Sequence, residues 1–276
     1  MISLCLIARF KNERHIMYEF INHYLEEGVD FFILIDDNSD DNYLEHNKDW
    51  INDLISLNKI LIVKGNHNSQ TDDYNLYIDR IKQFDWLIVC DFDEFFFSVS
   101  QNTTLKTLLN SELSHFDYIQ VPWKMFTHNS YNQPKSVINN NLYTHSCSLD
   151  PTSLSRGFKN IIKTRVIKHI DIHKCRIKDK SQILLIEDCH NKLIQNNHYR
   201  TQSDEFLRGV KEIRGGGVHL NKYRHFDRHK RNVYDFKCES LLNKRKSLVD
   251  KCLAKTQVKP KLYTESSFFL ENTINT

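Results

Sequence analysis

The first third of the chain alternates apolar runs with amphipathic stretches. Four of the runs have the length of buried strands and lie at residues 2–8, 31–35, 59–63 and 86–90. The stretches between them carry apolar residues at helical spacing, over about residues 12–27, 44–57 and 74–81. Gly28 follows the first of these helices, where a helix C-terminus favours a left-handed residue. Strands separated by such helices predict βαβ units, and therefore an α/β fold with a mostly parallel sheet.

The second half of the chain has a weaker pattern. Residues 117–122 indicate one strand and 158–170 one or two more, while 203–214 has the spacing of a helix that ends at the glycines 215–217. These glycines suit either a mobile flap or a plain connector. No stretch rich in Pro, Gly or Ser interrupts the chain, so we predict one domain over residues 1–220. A basic helical extension, residues 221–276, is expected to pack on this domain.

Acidic residues directly follow two of the predicted strands. One cluster spans residues 36–41 and the other spans residues 91–94. Parallel sheets bind ligands beyond the carboxyl ends of their strands. Both clusters are therefore predicted to face one cleft.

Asp91, Asp93 and Glu94 are the strongest candidates for chemistry. Burial of unpaired charge is costly, so carboxylates at the end of an apolar strand need a partner. A hard divalent cation such as Mg²⁺ or Mn²⁺ is one such partner, because it takes oxygen ligands. Acids in this position can instead simply open a loop or cap a helix. The apolar strand before them and the aromatic residues 95–97 after them favour the metal site.

Composition sets limits on the class of protein. Hydrophobic residues make up 40% of the 276 and aromatic residues 12%, which is enough apolar surface for a packed core. A net charge of +3 does not by itself indicate a nucleic-acid partner. The seven cysteines are scattered without a CxxC pair, which argues against a disulfide framework and a zinc site. The run after Met1 is too short to span a bilayer and lacks a basic flank, so a cytoplasmic protein is expected.

Basic and aromatic residues are interleaved between Tyr223 and Phe236. This tail could contact anionic lipid at the inner face of a membrane, or a lipid-linked acceptor. A solvated helix face is the simpler explanation. No recognised nucleic-acid-binding module accompanies these residues, so no nucleic-acid partner is predicted.

Five short motifs follow one another along the chain, at residues 7–13, 35–41, 90–95, 121–126 and 197–203. In this order they resemble the family 2-like glycosyltransferases of the GT-A fold, and also glycosyltransferase family 92. The resemblance implies a Rossmann-like sheet flanked by helices. It also implies metal-dependent, inverting transfer of a hexose from a nucleotide-sugar donor, with a UDP-sugar favoured, to a glycan hydroxyl. The cation would be Mn²⁺ or Mg²⁺, and the product a bacterial surface polysaccharide such as lipopolysaccharide or capsule.

The resemblance also assigns roles to individual residues. The donor site would comprise Ala8, Arg9, Phe10, Glu13, Asp36, Asp37, Asp91 and Arg200, and the metal site Asp91, Asp93 and His198. The backbone of residues 8–10 and the carboxylate of Asp36 or Asp37 would hold base and ribose. Arg200 would neutralise the departing diphosphate. Glu13 also suits the first turn of a helix whatever the function.

An inverting transfer needs a general base for the acceptor hydroxyl, and the sequence leaves its identity open. The candidates are Glu94, His128, His173 and Asp188. Glu94 adjoins the predicted metal ligand Asp93, and Asp188 could equally lie in a hairpin turn.

Two other classes of function are compatible with such a sheet. A sugar nucleotidyltransferase would carry a glycine-rich loop after the first strand, but residues 9–13 contain no glycine. A non-catalytic protein that binds nucleotide sugars or a membrane surface would not need the pair Asp91 and Asp93.

Overall fold

The computed structural model describes residues 1–66, 69–128, 130–140, 143–144, 157–184, 193–211, 233–234 and 241–262. The described strands are β1 (Leu4–Phe10), β2 (Phe31–Asp36), β3 (Ile60–Lys64), β4 (Trp86–Val89), β5 (Glu94–Ser98), β6 (Tyr118–Thr127), β7 (Tyr143–Thr144), β8 (Phe158–Lys163), β9 (Ile167–His169), β10 (Arg176–Ile177), β11 (Ile183–Leu184), β12 (Ile194–His198) and β13 (Val233–Tyr234). The described helices are α1 (Arg14–Glu26), α2 (Tyr43–His46), α3 (Lys48–Ser56), α4 (Gln70–Asn75), α5 (Ile78–Ile81), α6 (Leu105–Asn110), α7 (Val137–Asn140), α8 (Asp204–Phe206) and α9 (Lys246–Ala254).

Strands β3, β2, β1 and β4 form a parallel sheet in that order. Beyond β4 the sheet continues through the antiparallel strands β8 and β6, so that the whole sheet is mixed. The predicted α/β fold with parallel N-terminal strands is thus confirmed. The antiparallel continuation is an addition that the pattern of the second half did not reveal.

Apolar side chains cover both faces of the parallel strands. Phe20 and Tyr24 of α1 belong to the core on one face, and Tyr74 of α4 and Ile81 of α5 belong to the core on the other. Burial on two faces explains why these strands are continuously apolar and do not alternate with polar residues.

The first predicted helix matches α1 closely. It begins at Arg14, two residues after Asn12, whose φ is 56°. It ends before Gly28, whose φ of 92° confirms the predicted left-handed residue. The next predicted helix is divided at Asn47 into α2 and α3.

Strands β5 and β12 were not predicted. They pair antiparallel with each other, with Ile194 opposite Ser98 and His198 opposite Glu94. Consecutive polar residues in β12, among them Gln195 and Asn197, remove the alternation that would mark a strand in the sequence.

Two segments of the second half differ from the simple elements expected. Residues 158–170 form β8, a 3₁₀ turn over Thr164–Val166, and β9. Residues 203–211 form the short α8 and a π-helical turn over Leu207–Lys211. The glycines 215–217 and the interleaved tail between Tyr223 and Phe236, except residues 233–234, lie outside the described residues.

The described part of the C-terminal extension packs on α1. Arg245 forms a buried ion pair with Glu27 and a 3.1 Å hydrogen bond to His23 Nδ1. Lys244 Nζ lies 2.9 Å from Glu27 Oε1, and Leu248 of α9 is buried. Among the described residues, no helix is both long and apolar enough to cross a bilayer.

Candidate active site

Residues Asp91 to Glu94 form a tight turn between β4 and β5. Glu94 N donates to Asp91 O at 3.1 Å, and Asp91 N donates to Glu94 Oε2 at 3.2 Å. The ring of Phe92 stacks on that of Phe20 with centroids 4.2 Å apart. The turn that carries both aspartates is therefore anchored to α1 through a buried aromatic residue.

Strand pairing brings His198 to this turn. His198 lies opposite Glu94 in the β5–β12 pair, and Tyr199 N donates to Asp93 O at 2.8 Å. As a result, His198 Nε2 lies 3.3 Å from Asp93 Oδ1. The acidic motif and the histidine motif, which are far apart in the sequence, thus meet in one place.

Two lysines compensate for the two aspartates. Lys159 Nζ lies 2.7 Å from Asp91 Oδ2, and Lys211 Nζ lies 2.7 Å from Asp93 Oδ2. Although burial opposes ionisation, Lys159 lowers the pKa of Asp91. Against the same effect of burial, Lys211 and His198 hold the pKa of Asp93 well below its ordinary value. Both aspartates are therefore ionised at neutral pH.

Glu94 behaves differently from the aspartates. Its side chain is fully buried, and burial raises its pKa well above the ordinary value in spite of Lys159, whose Nζ lies 3.7 Å from Glu94 Oε1. A fully buried carboxyl group offers an acceptor hydroxyl no open approach, which does not suit the general-base role. Glu94 Oε1 has no hydrogen-bond partner among the residues that the structure describes.

Asp93, Glu94 and His198 offer three ligand atoms within 4.8 Å of one another. Carboxylate oxygen and imidazole nitrogen are suitable ligands for Mn²⁺, and a cation would give Glu94 Oε1 the partner it lacks. The residues present therefore fit a divalent cation. This group contains Glu94 where the sequence suggested Asp91, whose two oxygens accept from Lys159 and Gln70.

Arg9 organises the carboxyl ends of β1 and β2. Its guanidinium lies 2.6 Å from Asp37 Oδ1 and 3.4 Å from Asp73 Oδ2. Its backbone N–H donates to the Tyr74 hydroxyl at 3.2 Å. The side chain of Asp37 is 36% exposed, so its carboxylate is accessible to a ligand.

Asp36 has a different environment from its neighbour. Its Oδ1 accepts from Ser39 N at 2.7 Å, its Oδ2 accepts from the Tyr43 hydroxyl at 3.2 Å, and the residue is buried. The carboxylate of Asp36 therefore holds the loop in shape. Of the two carboxylates that the sequence left open for the nucleotide, Asp37 is the accessible one.

Three other residues assigned to the donor site are buried. The side chains of Ala8 and Phe10 lie in the core, so these residues can offer a ligand only their backbone. Glu13 immediately precedes α1 and does not lie within its first turn. Its Oε2 is 3.8 Å from His15 Nε2.

Hydrogen bonds connect the Arg9 end of the cleft with the acidic turn. Gln70 Nε2 donates to the Tyr74 hydroxyl at 2.5 Å and to Asp91 Oδ1 at 3.1 Å. The same Tyr74 hydroxyl accepts from the backbone of Arg9. Helix α4 thus bridges the carboxyl ends of β1 and β4, and the two regions predicted to face one cleft share one network.

His173 is the base candidate with the most suitable environment. Its Nδ1 lies 3.3 Å from Phe158 O, which leaves Nε2 as the proton acceptor of the neutral ring. Partial burial and the charge of Lys159 lower its pKa, so the ring is neutral at pH 7. The ring centroid of Trp123 lies 5.3 Å from that of His173 and 4.7 Å from that of His198. Trp123 thus contacts both the base candidate and the candidate metal ligand.

The remaining candidates are placed less favourably. His128 Nε2 lies 3.3 Å from Oδ1 of Asp204, a residue in the first turn of α8. Asp188 lies outside the described residues. Arg200 follows β12 by two residues and is half-buried.

Sequence reasoning did not single out Lys159, Lys211 or Gln70. A signal for Lys159 exists, since a charged residue among the apolar residues of a buried strand requires a partner. Lys211 carries no comparable signal, because it meets Asp93 across a separation of 118 residues.

Several solved structures resemble this chain weakly. TarS of S. aureus, residues 1–349, is 14% identical, with a TM-score of 0.36 over 59% of this chain and 47% of that one. The mannosyltransferase PcManGT from Pyrobaculum calidifontis, in complex with GDP-Man and Mn²⁺, is 12% identical, with a TM-score of 0.34 over 44% of this chain and 35% of that one. A putative glucose-1-phosphate thymidylyltransferase from Bacillus anthracis is 10% identical, with a TM-score of 0.35 over 60% of this chain and 72% of that one. The chain spans about half the length of the TarS fragment, and likenesses this weak carry no argument about activity.

No curated protein sequence matches this chain. The sequence does match a family over residues 1–251, which includes the acidic turn, His198, both lysines of the site and most of α9. The match covers most of the chain and confirms the resemblance drawn from its motifs. The chain belongs to glycosyltransferase family 92.

Proposed function

We propose that the chain is a metal-dependent, inverting glycosyltransferase that moves a hexose from a nucleotide-diphosphate donor to a hydroxyl of a glycan acceptor. The observation that carries this proposal is the convergence of Asp93, Glu94 and His198 at the carboxyl end of β4, within 4.8 Å of one another. Ligand sites of α/β sheets lie at such strand ends, and family membership supplies the reaction class.

The nucleotide is proposed to bind on the β1–β2 side of the cleft. Asp37 is the accessible carboxylate there and would accept hydrogen bonds from the base or ribose hydroxyls. Arg9 holds Asp37 at 2.6 Å and fixes its position. The backbone of residues 8–10 completes this side, and a UDP-sugar is the donor that the family resemblance favours.

The diphosphate is proposed to lie over the acidic turn. Asp93 and His198 would hold Mn²⁺ or Mg²⁺, with Glu94 within reach. When bound, such a cation stabilises the negative charge that develops on the departing diphosphate. Lys159 keeps Asp91 ionised and in place beside this site, and Arg200 would add positive charge to it.

His173 is proposed as the general base. The acceptor hydroxyl gives its proton to His173 Nε2 while its oxygen bonds to the anomeric carbon of the donor sugar. The bond from that carbon to the phosphate oxygen breaks, and the nucleoside diphosphate leaves with the electron pair. Attack from the face opposite the leaving group inverts the anomeric centre. The Trp123 ring, which contacts both His173 and His198, would support the sugar at this point.

The acceptor is proposed to be a surface glycan, free or lipid-linked, as the motif resemblance implies. The basic tail between Tyr223 and Phe236 would then meet the anionic membrane that carries such an acceptor.

A thermal-shift panel tests the proposed function. UDP, GDP and UDP-, GDP-, CMP- and dTDP-sugars are each added to the full chain with and without Mn²⁺. Ligand that binds the native state raises the melting temperature. We expect one nucleotide class to raise it only with Mn²⁺, and the matching nucleotide sugar then to be consumed when glycan acceptors are supplied. A folded protein that responds to no nucleotide would contradict the proposal and favour a non-catalytic role.

A further inference from the structure

Both oxygens of Asp93 face a nitrogen in this structure. His198 Nε2 lies 3.3 Å from Oδ1, and Lys211 Nζ lies 2.7 Å from Oδ2. A divalent cation bound by Asp93 would therefore lie very close to the Lys211 ammonium. Like charges repel strongly in a poorly solvated site, so a bound cation and Lys211 compete for this carboxylate.

Lys159 and Lys211 differ in how they are held. Lys159 belongs to β8 in the middle of the sheet, its side chain has no exposed surface, and it serves two carboxylates. Lys211 is the last residue of the π-helical turn Leu207–Lys211, and its side chain keeps 12% exposure. π-Helical turns are irregular and frequent at functional sites. Lys211 is therefore the cation that can move.

The segment that carries Lys211 has its own small apolar cluster. Phe206 and Val210 pack together apart from the two large clusters that cover the sheet. The Lys211 ammonium lies 5.4 Å from the centroid of the Phe206 ring. The half-exposed side chain of Leu262 contacts Gly209 of this segment. The segment can thus shift without opening the main core.

We propose that Lys211 is a placeholder cation, which neutralises Asp93 before the metal binds and is displaced when the metal arrives. This inference rests on the proposed metal-dependent function. Lys211 acts through Asp93 and is therefore a positioning residue. The exchange keeps the buried Asp93 compensated in both states and couples metal binding to movement of the turn Leu207–Lys211.

The test measures Mn²⁺ binding to the full chain in the absence of donor. The electron paramagnetic resonance signal of free Mn²⁺ reports how much of the ion is bound. Lys211→Met removes the competing charge, and we expect it to tighten Mn²⁺ binding at least about tenfold. Lys211→Arg keeps the charge and should bind Mn²⁺ like the native protein. Lys163→Met is the matched control, since Lys163 pairs with Asp117 at 3.3 Å with 16% exposure. It should leave Mn²⁺ affinity unchanged.

A measurement on the native protein covers the case in which Lys211→Met does not fold. Saturating Mn²⁺ should change amide hydrogen exchange in residues 204–211, and Asp93→Asn should remove that change. Equal Mn²⁺ affinity in native protein and Lys211→Met, or no exchange response in residues 204–211, would overturn the placeholder role while leaving the metal site intact. Absence of Mn²⁺ binding from both folded proteins would overturn the metal-dependent function as well.

Discussion

Lys159 Nζ lies 2.7 Å from Asp91 Oδ2 and 3.7 Å from Glu94 Oε1, and the Lys159 side chain has no exposed surface. The ammonium is thus shared between the first and last residues of the acidic turn. Although burial opposes protonation, Asp91 and Glu94 raise the pKa of Lys159, so its charge is permanent. This one residue links β8 to the turn that is proposed to bind the diphosphate.

Lys159→Met should lower the free energy of unfolding by about 1–3 kcal/mol, because the partly exposed Asp91 loses the hydrogen bond and charge of a fully buried ammonium. Urea denaturation measures this. Asp91→Asn added to Lys159→Met should restore part of the loss. Lys163 lies on the same strand as Lys159 and forms a partly exposed ion pair with Asp117. Lys163→Met breaks this pair and should cost no more than about 1 kcal/mol. Equal losses for the two lysine variants would contradict the central role given to Lys159.

Asp93→Asn should abolish the effect of Mn²⁺ on nucleotide binding and lower the transfer rate at least about hundredfold, because the site loses its anionic ligand. The thermal-shift panel with and without Mn²⁺ measures the first effect, and turnover of the donor measures the second. Asp53→Asn, on the exposed face of α3, is the control and should behave like the native protein. Full turnover by Asp93→Asn would show that the metal role is wrongly assigned.

Asp36 and Asp37 should respond to substitution in opposite ways. Asp37→Asn should weaken nucleotide binding about tenfold with little change in stability, because its carboxylate is accessible. Asp36→Ala should lower the free energy of unfolding by about 1–3 kcal/mol, because Ser39 N and the Tyr43 hydroxyl lose their acceptor. Nucleotide titration and urea denaturation of both variants give the comparison. An unchanged nucleotide affinity in Asp37→Asn would exclude this carboxylate from the donor site.

The pH dependence of transfer should follow His173. A general base must be neutral, and partial burial together with Lys159 lowers the pKa of His173 below its ordinary value of 6.5. The rate should therefore be constant above neutral pH and fall only as the pH drops below 6.5. His173→Gln should lower kcat far more than it changes KM and should remove this acid limb, while His128→Gln should keep it. A limb that persists in His173→Gln would assign the base elsewhere.

Buried Glu19 should make the protein less stable as the pH rises. Burial raises its pKa to about 7, against the hydrogen bonds from Ser136 and Val137, whereas the unfolded value is near 4.5. The folded state holds this proton more tightly, so the contribution is complete below pH 4.5 and is lost as the pH rises towards 7. Glu19→Gln should remove up to about 3 kcal/mol of this pH dependence. Denaturation of both proteins at pH 5 and pH 8 measures the difference, and parallel pH profiles would contradict the prediction.

The sequence by itself determined the strands that line the site and the acids at their ends. The runs that became β1, β2 and β4 are apolar because both of their faces are buried, and such a pattern is local. The tight turn at residues 91–94 and the left-handed Gly28 are local as well, since each depends on residues adjacent in the chain. The motif order that indicated the family is likewise a property of the sequence.

Only the tertiary structure decided which partners the acids receive. Lys159 reaches Asp91 because β8 lies antiparallel beside β4, and His198 reaches Asp93 because β12 pairs with β5. Neither pairing follows from the periodicity of the sequence. For β12, the consecutive polar residues also hide the strand itself. Likewise, Asp36 and Asp37 are adjacent and chemically identical, yet one holds its loop together and the other is open to a ligand. Charge compensation and access depend on contacts between distant segments, and the folded chain alone fixes those contacts.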